Sequence, residues 1–143
     1  MIYHTKTADD WQDVASQIIE ALPKRDGATV LALKGTLGAG KTTCTQSIAR
    51  VLGVTERVVS PTFVLMQLYD AKHAEFDRLV HIDAYRIEDI EEASVLRLDE
   101  YLANPRTLMV VEWPENLEGI LPEDNISISI AIEDDGRSIT VTQ

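Results

Sequence analysis

The feature that most constrains this chain is the segment GTLGAGKT at residues 35–42, which fits the phosphate-binding pattern G-x-x-x-x-G-K-[ST] at every position. The apolar, β-branched run at 29–33 precedes it and predicts a buried strand. Residues 42–52 carry apolar side chains at a helical spacing. The sequence therefore predicts a strand, a phosphate loop and a helix in the required order; the alternative is a glycine-rich turn with an exposed lysine.

The residue types of this loop indicate how it would hold a nucleotide. Glycines allow the backbone to bring its N–H groups against phosphate oxygens, and the following helix points its positive end at the same anion. Lys41 supplies a mobile positive charge to the β- and γ-phosphates, and the Thr42 hydroxyl is the usual Mg²⁺ ligand. The predicted nucleotide-binding residues in the loop are Gly35, Leu37, Gly38, Ala39, Gly40, Lys41, Thr42 and Thr43.

Composition narrows the class of protein. The chain has 143 residues, 45% hydrophobic and 26% charged, so we expect one globular domain over residues 1–143. No apolar run is long enough to cross a bilayer and the first residues lack a signal peptide's features, so the expected location is the cytoplasm. A formal charge of −11 disfavours unaided binding of nucleic acid and suits a basic protein partner.

The remaining pattern predicts an α/β fold of three layers, a P-loop NTPase-like domain in which helices flank a mixed sheet. A helix capped by Asp9 or Asp10 is expected to run to about Leu22. The other expected elements, in chain order, are an edge strand at 2–6, an antiparallel hairpin from 63–69 and 79–85, a helix over 88–103, a strand at 107–112, and a final hairpin with Ile126, Ile128, Ile130 and Ile132 on its buried face.

Two carboxylates end predicted strands. Asp83 follows the run at 79–82, and Glu112 follows four apolar residues. Because strand ends converge on the phosphates in sheets of this kind, we expect both to lie near Mg²⁺ as catalytic residues, with Glu112 also a metal-side acid. Which of them orients the attacking water stays open; the alternative is that both finish strands in solvent.

Four further residues or segments have open interpretations. The segment SPTF at 60–63 either senses the γ-phosphate or simply enters a strand. His81 is expected to be a hydrogen-bonded structural residue, and the single cysteine, Cys44, a small buried side chain rather than a nucleophile. Arg137, at the last predicted turn, either reaches the nucleotide or lies exposed in solvent.

Four blocks of the sequence together resemble the TsaE (YjeE) family of bacterial P-loop ATPases. They are GTLGAGKTT at 35–43, SPTF at 60–63, HIDAYR at 81–86 and VEWPE at 111–115, in that family's order and across most of the chain. The phosphate loop alone fits many proteins, whereas the other three blocks in combination are specific.

The resemblance implies an ATPase that uses ATP and Mg²⁺ and works with the TsaB and TsaD proteins in threonylcarbamoyl modification of the adenosine beside the tRNA anticodon. It implies contact with tRNA only through that complex, and no association with a membrane. By motif, Asp83 takes the place of the family's essential carboxylate and Glu112 that of its Mg²⁺-side glutamate. Trp113 matches a tryptophan that the family also needs.

The chain departs from the family's pattern at Thr36, where the loop usually carries an acid, and at Cys44, Gln46 and Ser47, where the helix usually reads differently. Gln46 puts in doubt any partner contact made by the usual basic side chain. A small-molecule kinase is the alternative function, although its usual cluster of lid arginines is missing from the sequence pattern. A guanine-specific switch protein is disfavoured, because no asparagine is followed by lysine in an N-K-x-D motif.

Overall fold

A seven-stranded mixed sheet forms the middle layer of the computed structural model, which describes residues 1–36, 38–59 and 65–143. Leu37 and the SPTF segment lie outside the described residues, as do the predictions made for them. The strands are β1 (Ile2–Thr5), β2 (Thr29–Gly35), β3 (Met66–Asp70), β4 (Arg78–Asp83), β5 (Thr107–Glu112), β6 (Ile126–Glu133) and β7 (Gly136–Thr142). Their order across the sheet is β1-β7-β6-β2-β5-β4-β3.

The central strand β2 determines where the loop lies. It runs parallel to both β5 and β6, and β4 runs parallel to β5, whereas β3 and β7 are antiparallel to their neighbours. From Val30 to Leu33, β2 is at most 2% exposed, as expected for a parallel strand covered on both faces. Because β2, β4 and β5 share one direction, their carboxyl ends meet at the same edge of the sheet.

Helices cover the two faces of the sheet unequally. The long helices α1 (Ala8–Glu20) and α2 (Lys41–Val51) pack on one face together with Leu31 and Leu33. Short segments cover the other face: a 3₁₀ helix at Ile90–Leu96, α3 (Leu98–Leu102) and a second 3₁₀ helix at Pro114–Leu117. The predicted three-layer α/β fold with a mixed, helix-flanked sheet is confirmed.

The start of α1 differs from the prediction. Thr7, not Asp9 or Asp10, is the N-cap: its backbone is extended and its hydroxyl accepts a hydrogen bond from the Asp10 N–H. The Asp10 carboxylate in turn accepts from the N–H groups of Lys6 and Thr7, at 2.8 and 3.0 Å. These hydrogen bonds stabilise the charged carboxylate and so hold the pKa of Asp10 below its usual value; the bond from Lys6 has the largest effect. The pair forms a capping box, with Asp10 as its third-position acid.

The prediction of one helix over 88–103 is also wrong, because this segment divides into two helices at Arg97. Ile90, Ala93 and Leu96 recur at intervals of three, which is the repeat of a 3₁₀ helix rather than an α-helix. Arg97 then adopts the left-handed conformation, with φ 51°, before α3 begins. One long helix is therefore replaced by two short ones.

In the last hairpin, Ile126, Ile128 and Ile130 are buried as predicted, but Ile132 is 56% exposed. The pairing of β6 with β2 ends where Ile130 lies opposite Gly35, so at Ile132 the strand continues in its hairpin with β7 and extends past the core cluster. The predicted edge strand and the hairpin of β3 with β4 are confirmed within the described residues.

None of the helices in the described ranges is long and apolar enough to cross a membrane.

Removing the Thr7 hydroxyl should lower the stability of the fold. We expect Thr7→Ala to reduce the free energy of unfolding by about 1 kcal/mol, since one N–H at the start of α1 loses its acceptor. Urea denaturation measures this, with Thr55→Ala at an exposed loop position as the matched control. Equal stability of the two variants would contradict a capping role for Thr7.

Candidate functional site

The loop after β2 and the carboxyl ends of β4 and β5 enclose a recess of about 730 Å³. Most of the predicted site residues line it. They are Gly35, Gly38, Gly40, Lys41, Thr42, Thr43, Asp83 and Glu112. The recess thus brings the loop, its lysine and both carboxylates to one place, as expected from the shared direction of these strands.

Asp83 and Glu112 lie side by side in this recess. They are directly opposite each other in the parallel pairing of β4 with β5, and Leu33 of β2 lies opposite Glu112 on its other side. Asp83 is 7% exposed and Glu112 is 5% exposed, so neither finishes its strand in open solvent. Two nearly buried carboxylates at adjacent positions favour a cation between or beside them.

Each carboxylate has a described hydrogen-bond partner that orients it. Oδ1 of Asp83 accepts from the backbone N–H of Tyr85 at 3.0 Å. Oε2 of Glu112 lies 2.8 Å from Nε2 of His81, a fully buried side chain on β4. The expectation that His81 is a hydrogen-bonded structural residue is confirmed in part, and its partner is a predicted site carboxylate.

Lys41 contacts an aromatic side chain at the opposite wall of the recess. Its Nζ lies 5.0 Å from the centre of the Trp113 ring, a cation–π distance. Trp113 follows the last residue of β5 and has a left-handed backbone, with φ 58°. Pro114 then begins a 3₁₀ helix. Tyr85 packs on Trp113 with ring centres 5.0 Å apart. The two aromatic rings therefore form one side of the entrance to the recess.

The loop backbone is tightly confined at Gly35 and Gly40. A Cβ atom at Gly35 would lie 2.9 Å from the backbone oxygen of Ile130, closer than real contacts allow. Gly40 has φ 115°, and a Cβ there would lie 3.0 Å from the Trp11 ring. These glycines allow the loop to pass between β6 and α1, where the neighbouring atoms leave no room for a side chain.

Arg137 belongs to β7 rather than to a turn, and it is half-buried rather than exposed in solvent. Its Nε donates to the Ala39 carbonyl oxygen at 2.8 Å, and Nη2 approaches the Gly38 carbonyl oxygen at 3.4 Å. Nη1 donates to the carbonyl of Gly136 at 2.9 Å. The structure therefore places Arg137 on the backbone of the loop, where it engages carbonyl groups.

A second recess, of about 500 Å³, lies on the other side of the same loop. Thr5, Trp11 and Arg137 line it together with the loop and the turn between β6 and β7. The Thr5 hydroxyl is buried and has no hydrogen-bond partner among the described residues. Neither Thr5 of β1 nor Trp11 of α1 is among the predicted site residues, because no local motif marks them.

Residues of α2 behind the loop are structural. Cys44 is 2% exposed, and burial, with a smaller effect of the Glu112 charge, raises the pKa of its thiol to about 12. The expectation of a small buried side chain is confirmed. Nε2 of Gln46 donates to the Val58 carbonyl oxygen at 3.0 Å, so this departure from the family pattern joins α2 to the segment that follows it.

The donor atoms in the recess are suited to Mg²⁺ held together with a polyphosphate. Within the described ranges, no group of three or more His, Cys, Asp or Glu side chains could hold a metal ion by itself. The Thr42 hydroxyl and the carboxylates of Asp83 and Glu112 supply hard oxygen atoms beside the loop. Mg²⁺ keeps several waters and is bound through one or two protein oxygens plus phosphates, so the residues fit this ion.

Nearly the whole chain is similar to one known protein family. Residues 5–139 match the family described as "Threonylcarbamoyl adenosine biosynthesis protein TsaE". A protein of Bacillus subtilis named tRNA threonylcarbamoyladenosine biosynthesis protein TsaE is 39% identical over 138 residues, covering 92% of this chain and 84% of that protein. A protein of the same name from Haemophilus influenzae is 37% identical over 112 residues, covering 78% and 68%.

A solved structure is also similar to this chain over almost its whole length. The crystal structure of Bacillus subtilis YdiB superimposes with a TM-score of 0.76 at 31% sequence identity, covering 99% of this chain and 83% of that chain. Since almost the whole chain is included, the likeness extends beyond the loop to both hairpins.

Two glycine substitutions should separate backbone strain from steric contact in the loop. Gly38→Ala meets no atom within 4 Å but has φ 81°, whereas Gly40→Ala meets both an unfavourable φ and the Trp11 ring. We expect Gly38→Ala to cost about 1 kcal/mol of stability and Gly40→Ala about 2–3 kcal/mol. Thermal and urea unfolding measure both, and a smaller cost at Gly40 would show that Trp11 does not confine the loop.

Proposed function

Because the chain belongs to the TsaE family of tRNA threonylcarbamoyladenosine biosynthesis proteins, we propose that it is a Mg²⁺-dependent ATPase that supports this modification of tRNA. The observation that carries the proposal is the recess that combines Lys41, Thr42 and two nearly buried carboxylates beside a glycine loop. Loop N–H groups and a lysine bind phosphate oxygens, and carboxylates act where hydrolysis moves charge.

In this proposal, each side chain has a distinct task. Lys41 leaves the Trp113 ring to contact the β- and γ-phosphates, and the Thr42 hydroxyl holds the metal ion. Bound Mg²⁺ would neutralise charge that develops on the phosphate oxygens. Glu112 would face the ion, directly or through water, and Asp83 lies beside Glu112 on the neighbouring strand. Either carboxylate is able to orient the attacking water from this position.

The second recess is the proposed place for the nucleoside part of ATP. Gly38, Gly40 and Thr43 line both recesses, so a nucleotide with its phosphates in the first extends naturally into the second. The unpartnered Thr5 hydroxyl would there find a polar atom of the ligand, and the Trp11 ring would offer it an apolar surface. Arg137 would contribute through the loop carbonyls to which it is bonded.

Partner proteins are part of the proposed function. We propose that TsaB and TsaD act with this chain in the cytoplasm, and that tRNA is reached only through their complex. The formal charge of −11 supports this, because it disfavours direct contact with the phosphate backbone of a nucleic acid. At the entrance to the recess, Tyr85 is 59% exposed and Trp113 is 37% exposed. A partner covering these rings would exclude water from the carboxylates and stimulate hydrolysis.

A small-molecule kinase remains the alternative. Such kinases bring arginines to the transferring phosphate, yet no arginine lines the first recess among the described residues. Release of plain phosphate, with no phosphorylated product from added metabolites, supports the ATPase.

The role of Lys41 is tested by nucleotide affinity. We expect Lys41→Ala to weaken binding of ATP with Mg²⁺ by about tenfold or more, or about 1.4 kcal/mol, because the recess loses its mobile cation. Calorimetry provides the measurement. Lys34→Ala is the matched control, since Lys34 lies on β2 but outside the first recess. A dissociation constant unchanged in Lys41→Ala would refute phosphate binding by this lysine.

The carboxylates should affect turnover more than binding. We expect Asp83→Asn and Glu112→Gln each to keep ATP affinity within about tenfold while reducing partner-stimulated hydrolysis about a hundredfold or more, a barrier increase of about 2.7 kcal/mol. The reason is that a carboxylate beside the metal ion contributes most when charge moves between oxygens.

This comparison uses phosphate release from ATP by the chain reconstituted with TsaB and TsaD. Glu115→Gln is the control, because Glu115 is an exposed acid three residues from Glu112 and does not line the first recess. Near-normal rates for both site variants would leave only Lys41 and Thr42 supported as site residues.

A further inference from the structure

His81 lies beneath the first recess, where it contacts Glu112 and not the recess itself. The side chain is fully buried, and its Nε2 lies 2.8 Å from Oε2 of Glu112. In the parallel register, His81 lies opposite Val110, so Glu112 is two residues further along β5 and on the same face of the sheet. The histidine therefore reaches diagonally to the carboxylate on the neighbouring strand.

The contact holds one oxygen of Glu112 and leaves the other available to the recess. In the described part of the chain, His81 is the one side chain to which the Glu112 carboxylate is hydrogen-bonded. An imidazole that donates from Nε2 holds the carboxylate in one rotamer, which is how outer histidines and carboxylates orient metal ligands. Without that donor, a glutamate with three rotatable bonds would sample several directions.

The other ring nitrogen shows that stability alone does not account for a histidine at this position. Nδ1 of His81 is buried and has no hydrogen-bond partner among the described residues. An unpaired buried polar atom costs about 1–3 kcal/mol, and an apolar side chain in the same space would avoid that cost. The imidazole is thus a poor core residue and a good donor to Glu112.

We propose that His81 is a positioning residue that orients Glu112 toward the metal ion and the attacking water. This inference rests on the proposed ATPase function of the recess. His81 touches neither nucleotide nor ion in this arrangement, and its effect passes through the Glu112 carboxylate. A histidine that merely fills the core would affect folding without affecting the ratio of turnover to binding.

Three variants separate these roles. The amide nitrogen of Gln extends about as far as Nε2 of His and can donate to Glu112, whereas Asn is too short and Leu has no donor. We expect His81→Asn and His81→Leu to reduce partner-stimulated ATP hydrolysis about 10–100-fold with little change in ATP affinity. His81→Gln should restore most of the rate. Calorimetry and phosphate release supply the two measurements, and melting temperatures identify any variant that fails to fold.

A readout without nucleotide tests the contact directly. Nitrogen NMR of the histidine ring in the whole chain should show His81 with its proton on Nε2, and Glu112→Gln should shift that resonance. His4 and His73, which are on the surface, serve as internal controls that should not move. A proton on Nδ1, or no response to Glu112→Gln, would overturn the proposal even if His81 variants fold poorly.

The outcomes distinguish this proposal from the function on which it rests. If Glu112→Gln leaves hydrolysis unchanged, the proposed role of Glu112 in the ATPase fails, and with it the reason for positioning. If Glu112→Gln is impaired but His81→Asn is not, only the positioning role fails. In the Glu112→Gln background, His81→Asn should cause no further loss of rate, since both changes disable the same carboxylate. Additive losses would contradict the proposal.

Discussion

The passage of the glycine loop between β6 and α1 is the constraint on which the rest of the site depends. Gly35 passes so close to the Ile130 carbonyl that no side chain fits, and Gly40 lies against the Trp11 ring. Arg137 completes the confinement by donating to the Ala39 carbonyl. The described residues of the loop are thus held by a strand, a helix and a guanidinium group, and prior fixing of a binding segment lowers the entropic cost of binding an anion.

Two acidic side chains and one lysine lie together at this edge of the sheet. Asp83 and Glu112 lie opposite each other and nearly out of solvent, an arrangement that is unfavourable for two negative groups alone. Lys41 lines the same recess as the two carboxylates, but its ammonium group lies over the Trp113 ring. This distribution of charge suits a site whose full complement includes a metal ion and a polyphosphate, because the ion offsets the carboxylates and the phosphates attract the lysine.

The layer of long helices, which contains the larger core cluster, lies on the same face of the sheet as the loop helix α2. Helices α1 and α2 cover one face with the larger core cluster, whereas short helices cover the other. The face covered by α2 carries the Glu112 carboxylate, its partner His81 and the buried Cys44. Burial is the main cause that raises the pKa of the Cys44 thiol. The side of the sheet with the larger core cluster therefore supports the groups on which the proposed chemistry depends, and the exposed rings of Tyr85 and Trp113 lie at the entrance, where a partner can reach them.

Elements with local signals could be predicted from the amino-acid sequence. The glycine spacing at 35–42 identified the loop, the uninterrupted apolar run identified β5, and period-two alternation identified the last hairpin, because side-chain periodicity and turn chemistry depend on near neighbours. Asp83 and Glu112 were likewise predicted to end strands.

Their position opposite each other comes from the folded chain, since the register of β4 on β5 is not encoded in either strand alone. His81 and Glu112 are 31 positions apart, and Arg137 lies 98 positions from Ala39, whose carbonyl it binds. The recess beside Thr5 is likewise lined by residues from separate elements. Such contacts arise from packing and pairing over the whole chain, so no local pattern could have predicted them.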